Sequence, residues 1–120
     1  MLRGIRGAIT VENNSQDELR NAVIELLNEI IEINNIKPYD IASVSFTMTS
    51  DLDCAYPAKF AREIQGFDKV PLMCYQELNI KNSLEKCIRV MVLTNTNKSQ
   101  DEIKHIYLRG AKILRPDLSD

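Results

Sequence analysis

The stretch KCIRVMVLTN, residues 86–95, decides how the chain is read. Cys87, Ile88, Val90, Met91, Val92 and Leu93 are apolar and several are β-branched, so a strand is predicted over Glu85 to Thr94. Arg89 interrupts it. Side chains alternate across a strand, so Arg89 shares a face with Cys87 and Met91, while Ile88, Val90 and Val92 point the other way. A guanidinium cannot shed its charge, and its place inside an apolar strand calls for an anion or a second use.

The flanking sequence supplies partners for that strand. Arg3 to Val11 alternates, with Ile5, Gly7, Ile9 and Val11 on one face and Arg6, Ala8 and Thr10 on the other. Ser15-Gln16-Asp17-Glu18 is a capping box opening a helix. Leu19, Ala22, Val23, Leu26, Leu27, Ile30 and Ile31 form its apolar stripe, and Asn34-Asn35 with Lys37-Pro38 end it. Ala42 to Thr49 is a strand with Val44, Phe46 and Met48 facing one way and Ser43, Ser45, Thr47 and Thr49 the other. Pro57 suits the first turn of a short helix running to about Gln65 and closed by Gly66. Val70 to Leu78 is a further strand, weakened at its start by Pro71. Ser99 to Glu102 caps a single helical turn, and Ile106 to Leu114, interrupted by Gly110, is a last strand stopped by Arg115-Pro116. The expected fold is α+β: a mixed five-stranded β-sheet with one long and one short helix on one face. The other face carries Arg6, Cys87, Arg89 and hydroxyl side chains, too mixed for a dry core. It is expected to meet another subunit or a ligand.

Composition narrows the function classes. A chain of 120 residues fits one domain, residues 1–120, and can bury a real core. A net charge of −2 gives no global attraction for nucleic acid or a membrane surface, so any anion must be held by a local cluster. The start MLRGIRGAITV lacks the apolar core of a signal peptide, and no apolar run approaches a membrane span. Cys54, Cys74 and Cys87 are odd in number and lack paired spacing, and His105 is the single histidine. No tetrahedral zinc site or disulfide scaffold is expected, and a reducing cytoplasm is.

Two readings of the charged residues stand side by side. Arg89 either pairs with a carboxylate such as Glu77 or awaits a ligand anion, where a fixed and partly dry cation is worth more than in water. Arg6 poses the same question in a second strand. Lys59 and Arg62, three apart on the short helix, share a face that is either solvated or part of an anion site, and Arg115 is similar. Cys74 suits a small core position better than a nucleophile. Tyr107 reads as half-buried packing with a usable hydroxyl, and Glu77 as a fixed acceptor rather than a general base. There is no phosphate loop, nucleophile elbow or HExxH. The inventory offers charge, hydrogen bonds and shape.

RGIRGAITVE, PAKFARE, CYQE, KCIRVM and LRPDLS, in that order from Arg3 to Ser119, resemble the monofunctional trimeric class of chorismate mutases. The resemblance implies a ferredoxin-like, chorismate mutase-like sheet assembled as a pseudo-α/β-barrel homotrimer with active sites between subunits. It implies an isomerase that converts chorismate to prephenate in phenylalanine and tyrosine biosynthesis, with no cofactor and no metal. Arg89 would then donate to the ether oxygen, Arg6 and Tyr107 would bind a carboxylate, and Glu77 would accept the ring hydroxyl, with the backbone or thiol of Cys74 nearby. Met73, together with Tyr56, Ala58, Lys59 and Arg62 of the adjoining subunit, would line the cleft, and Leu114 and Arg115 would cover it. Tyr56 stands where the family often has phenylalanine, and Met73 where a smaller polar residue is common. The alternative is a non-catalytic trimeric module that binds an anionic metabolite; the full set Arg6, Glu77 and Arg89 exceeds what carboxylate capture needs.

Overall fold

A computed structural model describes residues 1–114. The strands are β1 (Leu2–Thr10), β2 (Ile41–Met48), β3 (Leu72–Gln76), β4 (Cys87–Asn95) and β5 (Ile106–Leu108). The helices are α1 (Gln16–Asn34) and α2 (Pro57–Ala61). One mixed sheet has the order β3-β2-β4-β1-β5. The stretch quoted at the outset is its central strand, antiparallel to both β1 and β2, while β3 and β5 pair parallel to their neighbours at the edges.

Alternation sorts the side chains as the sequence indicates. Ile5, Ile9, Val44, Phe46, Ile88, Val90 and Val92 turn toward the helices and are buried with Leu19, Val23, Leu26, Leu27 and Ile30 of α1 and Phe60 and Ala61 of α2. Gly7 sits at the closest approach of α1 to β1: a Cβ there would lie 2.8 Å from Ile30 Cδ1, 3.1 Å from Val90 Cγ2 and 3.2 Å from Leu26 Cδ1. Ile41 breaks the parity of β2 yet is buried, because an irregularity between Ile41 and Ser43 lets both Ile41 and Val44 face the helices. The opposite face is open, except at one corner where Ala8, Cys87, Tyr107 and Ala111 form a small buried cluster.

The helix ends show where local chemistry is reused. Ser15 accepts the Glu18 N–H at 3.2 Å as expected, but Glu18 does not return the bond. The Ser15 N–H already donates to the Asn13 carbonyl, and the Glu18 carboxylate accepts the N–H groups of Glu12 and Asn13 instead. Asn35 adopts a left-handed conformation (φ 51°) and closes α1. Asn34, fully buried, donates to the carbonyls of Ile30 and Lys104 and accepts the Lys104 N–H, fastening the end of α1 to the approach of β5.

Several expected elements are shorter than their sequences suggest, among them β3, which spans Leu72–Gln76 and not Val70 to Leu78 because its pairing with β2 stops at Met48. The α-helix opened by Pro57 stops at Ala61, not Gln65, as the N–H groups of Glu63 and Ile64 bond three residues back and tighten the chain toward Gly66. The last strand stops at Leu108 rather than Leu114. Its partner β1 ends at Thr10, whose hydroxyl accepts the Gly110 N–H at 2.9 Å, and Arg109 (φ 55°) turns the chain into a 3-10 segment, Arg109–Ile113. Gly7→Val should place two methyl branches into the Ile30–Leu26–Val90 contact and cost about 1–3 kcal/mol. A urea midpoint lowered at unchanged slope is the expected result.

Candidate active site

Four strands and the residue that follows β3 converge on one cleft of about 240 Å³ on the open sheet face, lined by Arg6, Gly7, Ser45, Thr47, Glu77, Arg89, Val90, Met91 and Tyr107. Arg89 stands at the middle of β4, opposite Thr47 on one side and Ala8 on the other. Arg6 lies opposite Met91, and Tyr107 opposite Ala8. Glu77 follows directly after β3. Arg6 and Tyr107, 101 chain positions apart, thus come together because β1 and β5 pair beside the central strand, a proximity no local pattern announces.

The charged core of the cleft is an ion pair. Arg89 Nη1 donates to Glu77 Oε2 at 3.2 Å, and Thr47 Oγ1 donates to Glu77 Oε1 at 2.5 Å. The structural pairing open to Arg89 from sequence is therefore formed, yet the guanidinium is not buried. Its side chain is 50% exposed against 15% for Glu77, because it lies on the uncovered face. A guanidinium has five N–H donors, and this contact uses one. The Arg6 main-chain N–H donates to His105 Nδ1 at 2.9 Å, just before β5 begins. That bond requires Nδ1 to be unprotonated.

Beneath the cleft, Cys87 is buried, and burial pushes its thiol up to about 11 despite the favourable charge of Arg89. It is a packing group with no thiolate at neutral pH. Among the described residues, no cluster of three or more His, Cys, Asp or Glu side chains could hold a metal ion.

The remaining expected site residues divide. Met73 lies on the open face of edge strand β3, opposite Ser45 and 59% exposed. Cys74 pairs with Phe46 and packs against the helix-side core, so its thiol is turned away from Arg89 and only its main chain is suited to the site. Leu114 packs partly buried against the Tyr107 cluster. Tyr56, Lys59 and Arg62 are exposed around α2, and none of them lines the cleft of its own chain. Ala58 is buried in its own core. Arg115 lies outside the described residues. Sequence reasoning missed Thr47 as a cleft residue; its place on the polar face of β2 was visible, but its register against Arg89 was not.

The family model described as chorismate mutase type I matches residues 2–118. The chain is 45% identical to the chorismate mutase AroH of Bacillus subtilis (strain 168) over 119 residues, covering 99% of this chain and 94% of that protein. It is 48% identical to the chorismate mutase AroH of Thermus thermophilus, covering 98% and 97% respectively. A solved chorismate mutase from Clostridium thermocellum superposes with a TM-score of 0.89 at 48% identity, covering 92% of this chain and 98% of that one.

The Cys87 environment makes a pH prediction. A folded-state pKa raised from 9.0 to about 11 contributes stability that is present below about pH 9 and lost as pH climbs toward 11. Urea midpoints measured from pH 8 to 11 should fall less steeply for Cys87→Ala than for the unaltered chain.

Proposed function

The chain belongs to the type I chorismate mutases, and from that premise we propose that Arg89, Glu77, Arg6 and Tyr107 carry its reaction. The chain is an isomerase that converts chorismate to prephenate. The reaction is intramolecular: a carbon–oxygen bond of the enolpyruvyl ether breaks while a carbon–carbon bond to the ring forms, and no atom enters or leaves. Catalysis is then a matter of holding a compact, reactive conformer and stabilising charge as it moves.

In this reading Arg89 donates to the ether oxygen as negative charge builds there. Its carrier strand is hydrogen-bonded on both sides and its guanidinium is paired with Glu77, so the cation is oriented before the charge appears. Glu77 accepts the ring hydroxyl. Arg6 and the Tyr107 hydroxyl bind a substrate carboxylate, with Met73 and the main chain of Cys74 along the wall. Leu114 covers the bound substrate. The observation that carries the proposal is the convergence of both arginines, the acid and the tyrosine on one cleft.

One domain, residues 1–120, acts as a homotrimer with each site between adjacent subunits. Tyr56, Lys59 and Arg62, with the main chain of Ala58, complete the neighbour's cleft. Support comes from the absence of these residues from their own chain's cleft and from the exposed Met73, Tyr75 and Met91 on the uncovered face. The enzyme works in the cytoplasm without a cofactor, nucleic acid or membrane. No helix among the described residues is long and apolar enough to cross a bilayer.

Arg89→Ala should fold and still assemble, yet lose at least about 3 kcal/mol of barrier lowering, the scale of one oxyanion donor. Arg89→Lys should be nearly as poor, because a point charge does not reproduce the planar fork. Loss of chorismate absorbance in the ultraviolet reads both rates, and near-normal turnover by either variant defeats the assignment. For a cyclic trimer with shared sites, refolding Arg89→Ala with Arg62→Ala in equal amounts should restore about a quarter of the sites. Mixtures no more active than the separate variants would exclude the shared site.

A further inference from the structure

Resting on that reading, we infer that Thr47 is the positioning residue that sets Glu77, and through it Arg89, in the geometry the reaction needs. Glu77 stands one residue past the end of β3, where the paired register stops at Met48 and Gln76. Its carboxylate is the more enclosed partner of the ion pair, yet its own chain is leaving the sheet there. Arg89, by contrast, rides on the central strand but ends in a long, half-exposed side chain. Each partner is well held at one end and loosely held at the other.

Thr47 closes the gap. It lies on β2 directly opposite Arg89, on the same face, and its hydroxyl donates to Glu77 Oε1 at 2.5 Å. With Oε1 held, Oε2 is turned to Arg89 Nη1 at 3.2 Å. One carboxylate therefore spans β2 and β4, and its orientation is set by a hydroxyl on a strand paired on both sides. The Thr47 hydroxyl lines the cleft but has no proton-transfer task in a reaction that moves none. Its work is to reduce the number of arrangements open to Glu77 and Arg89 before substrate arrives.

The test compares Thr47→Val, which keeps shape and removes the donor, with Thr47→Ser, which keeps the donor. Thr47→Val should lower kcat about tenfold or more, the scale of a lost hydrogen bond to a charged group, with KM shifted far less. Its melting temperature should stay close to that of the unaltered chain, since valine suits a strand. Thr47→Ser should retain most of the rate. In a Glu77→Gln background the valine substitution should add little further loss, because the two act as a unit.

A Thr47→Val enzyme with unaltered kcat overturns the inference, as does a Thr47→Ser enzyme equally impaired, or losses that multiply fully with Glu77→Gln. If instead Glu77→Gln alone turns over chorismate at the normal rate, the site assignment itself fails and this inference with it.

Discussion

One layer of helices can cover only one face of a five-stranded sheet, and the character of this molecule follows from what is left uncovered. On the helix side the chain builds an ordinary dry core around Phe46, Ile88, Val90 and Val92. On the other side the same strands present Arg6, Arg89, Ser45 and Thr47 beside Met73, Tyr75 and Met91. Cations and apolar side chains exposed together on a flat face are poor as a water-facing surface and good as the wall of a site that something else completes. The sheet is thus a core on one side and a platform on the other, and alternation along each strand makes both from one sequence.

The ion pair on that platform illustrates how such a surface is kept in order. Arg89 and Glu77 are held 3.2 Å apart, with the carboxylate enclosed and the guanidinium half in water. An exposed pair contributes little to stability, so its presence at the centre of the cleft is better understood as orientation than as a brace. The donors of Arg89 not engaged by Glu77 remain suited to an anion or a developing oxyanion. His105 and Thr47, which carry no charge in these contacts, hold the main chain of Arg6 and the carboxylate of Glu77 respectively. An uncharged imidazole and an uncharged hydroxyl thereby position charged residues of the cleft.

Much of the fold was legible because helix and strand periodicities are local. The stripe from Leu19 to Ile30 and the two faces of β1 and β4 lie where the pattern put them. The misjudged boundaries lie where tertiary partners intervene. The last strand ends early because β1 runs out at Thr10, and Gly110 finds a hydroxyl in place of a ladder partner. The irregularity before Ser43 buries Ile41 against its parity, since the register is set by β4 and not by β2 alone. Glu18 caps backward to Glu12 and Asn13 because Ser15 had already spent its amide on Asn13.

For the site, the residue types were readable and their grouping was not. Arg89 announces itself as a cation in an apolar strand, and parity alone places it with Cys87 and Met91. Arg6, Glu77 and Tyr107 carry chemistry that any reading notices, and motif resemblance assigned their roles. That Cys74 turns its thiol to the core, that Ala58 is enclosed, and that Thr47 meets Glu77 depended on register and packing across strands. Sequence by itself determined which faces are apolar and where charge is stranded, because backbone geometry repeats every two or 3.6 residues whatever the rest of the chain does. Tertiary structure alone decided which stranded charges meet, because contact between distant residues depends on strand order and register, and a shift of one residue would send every side chain to the opposite face.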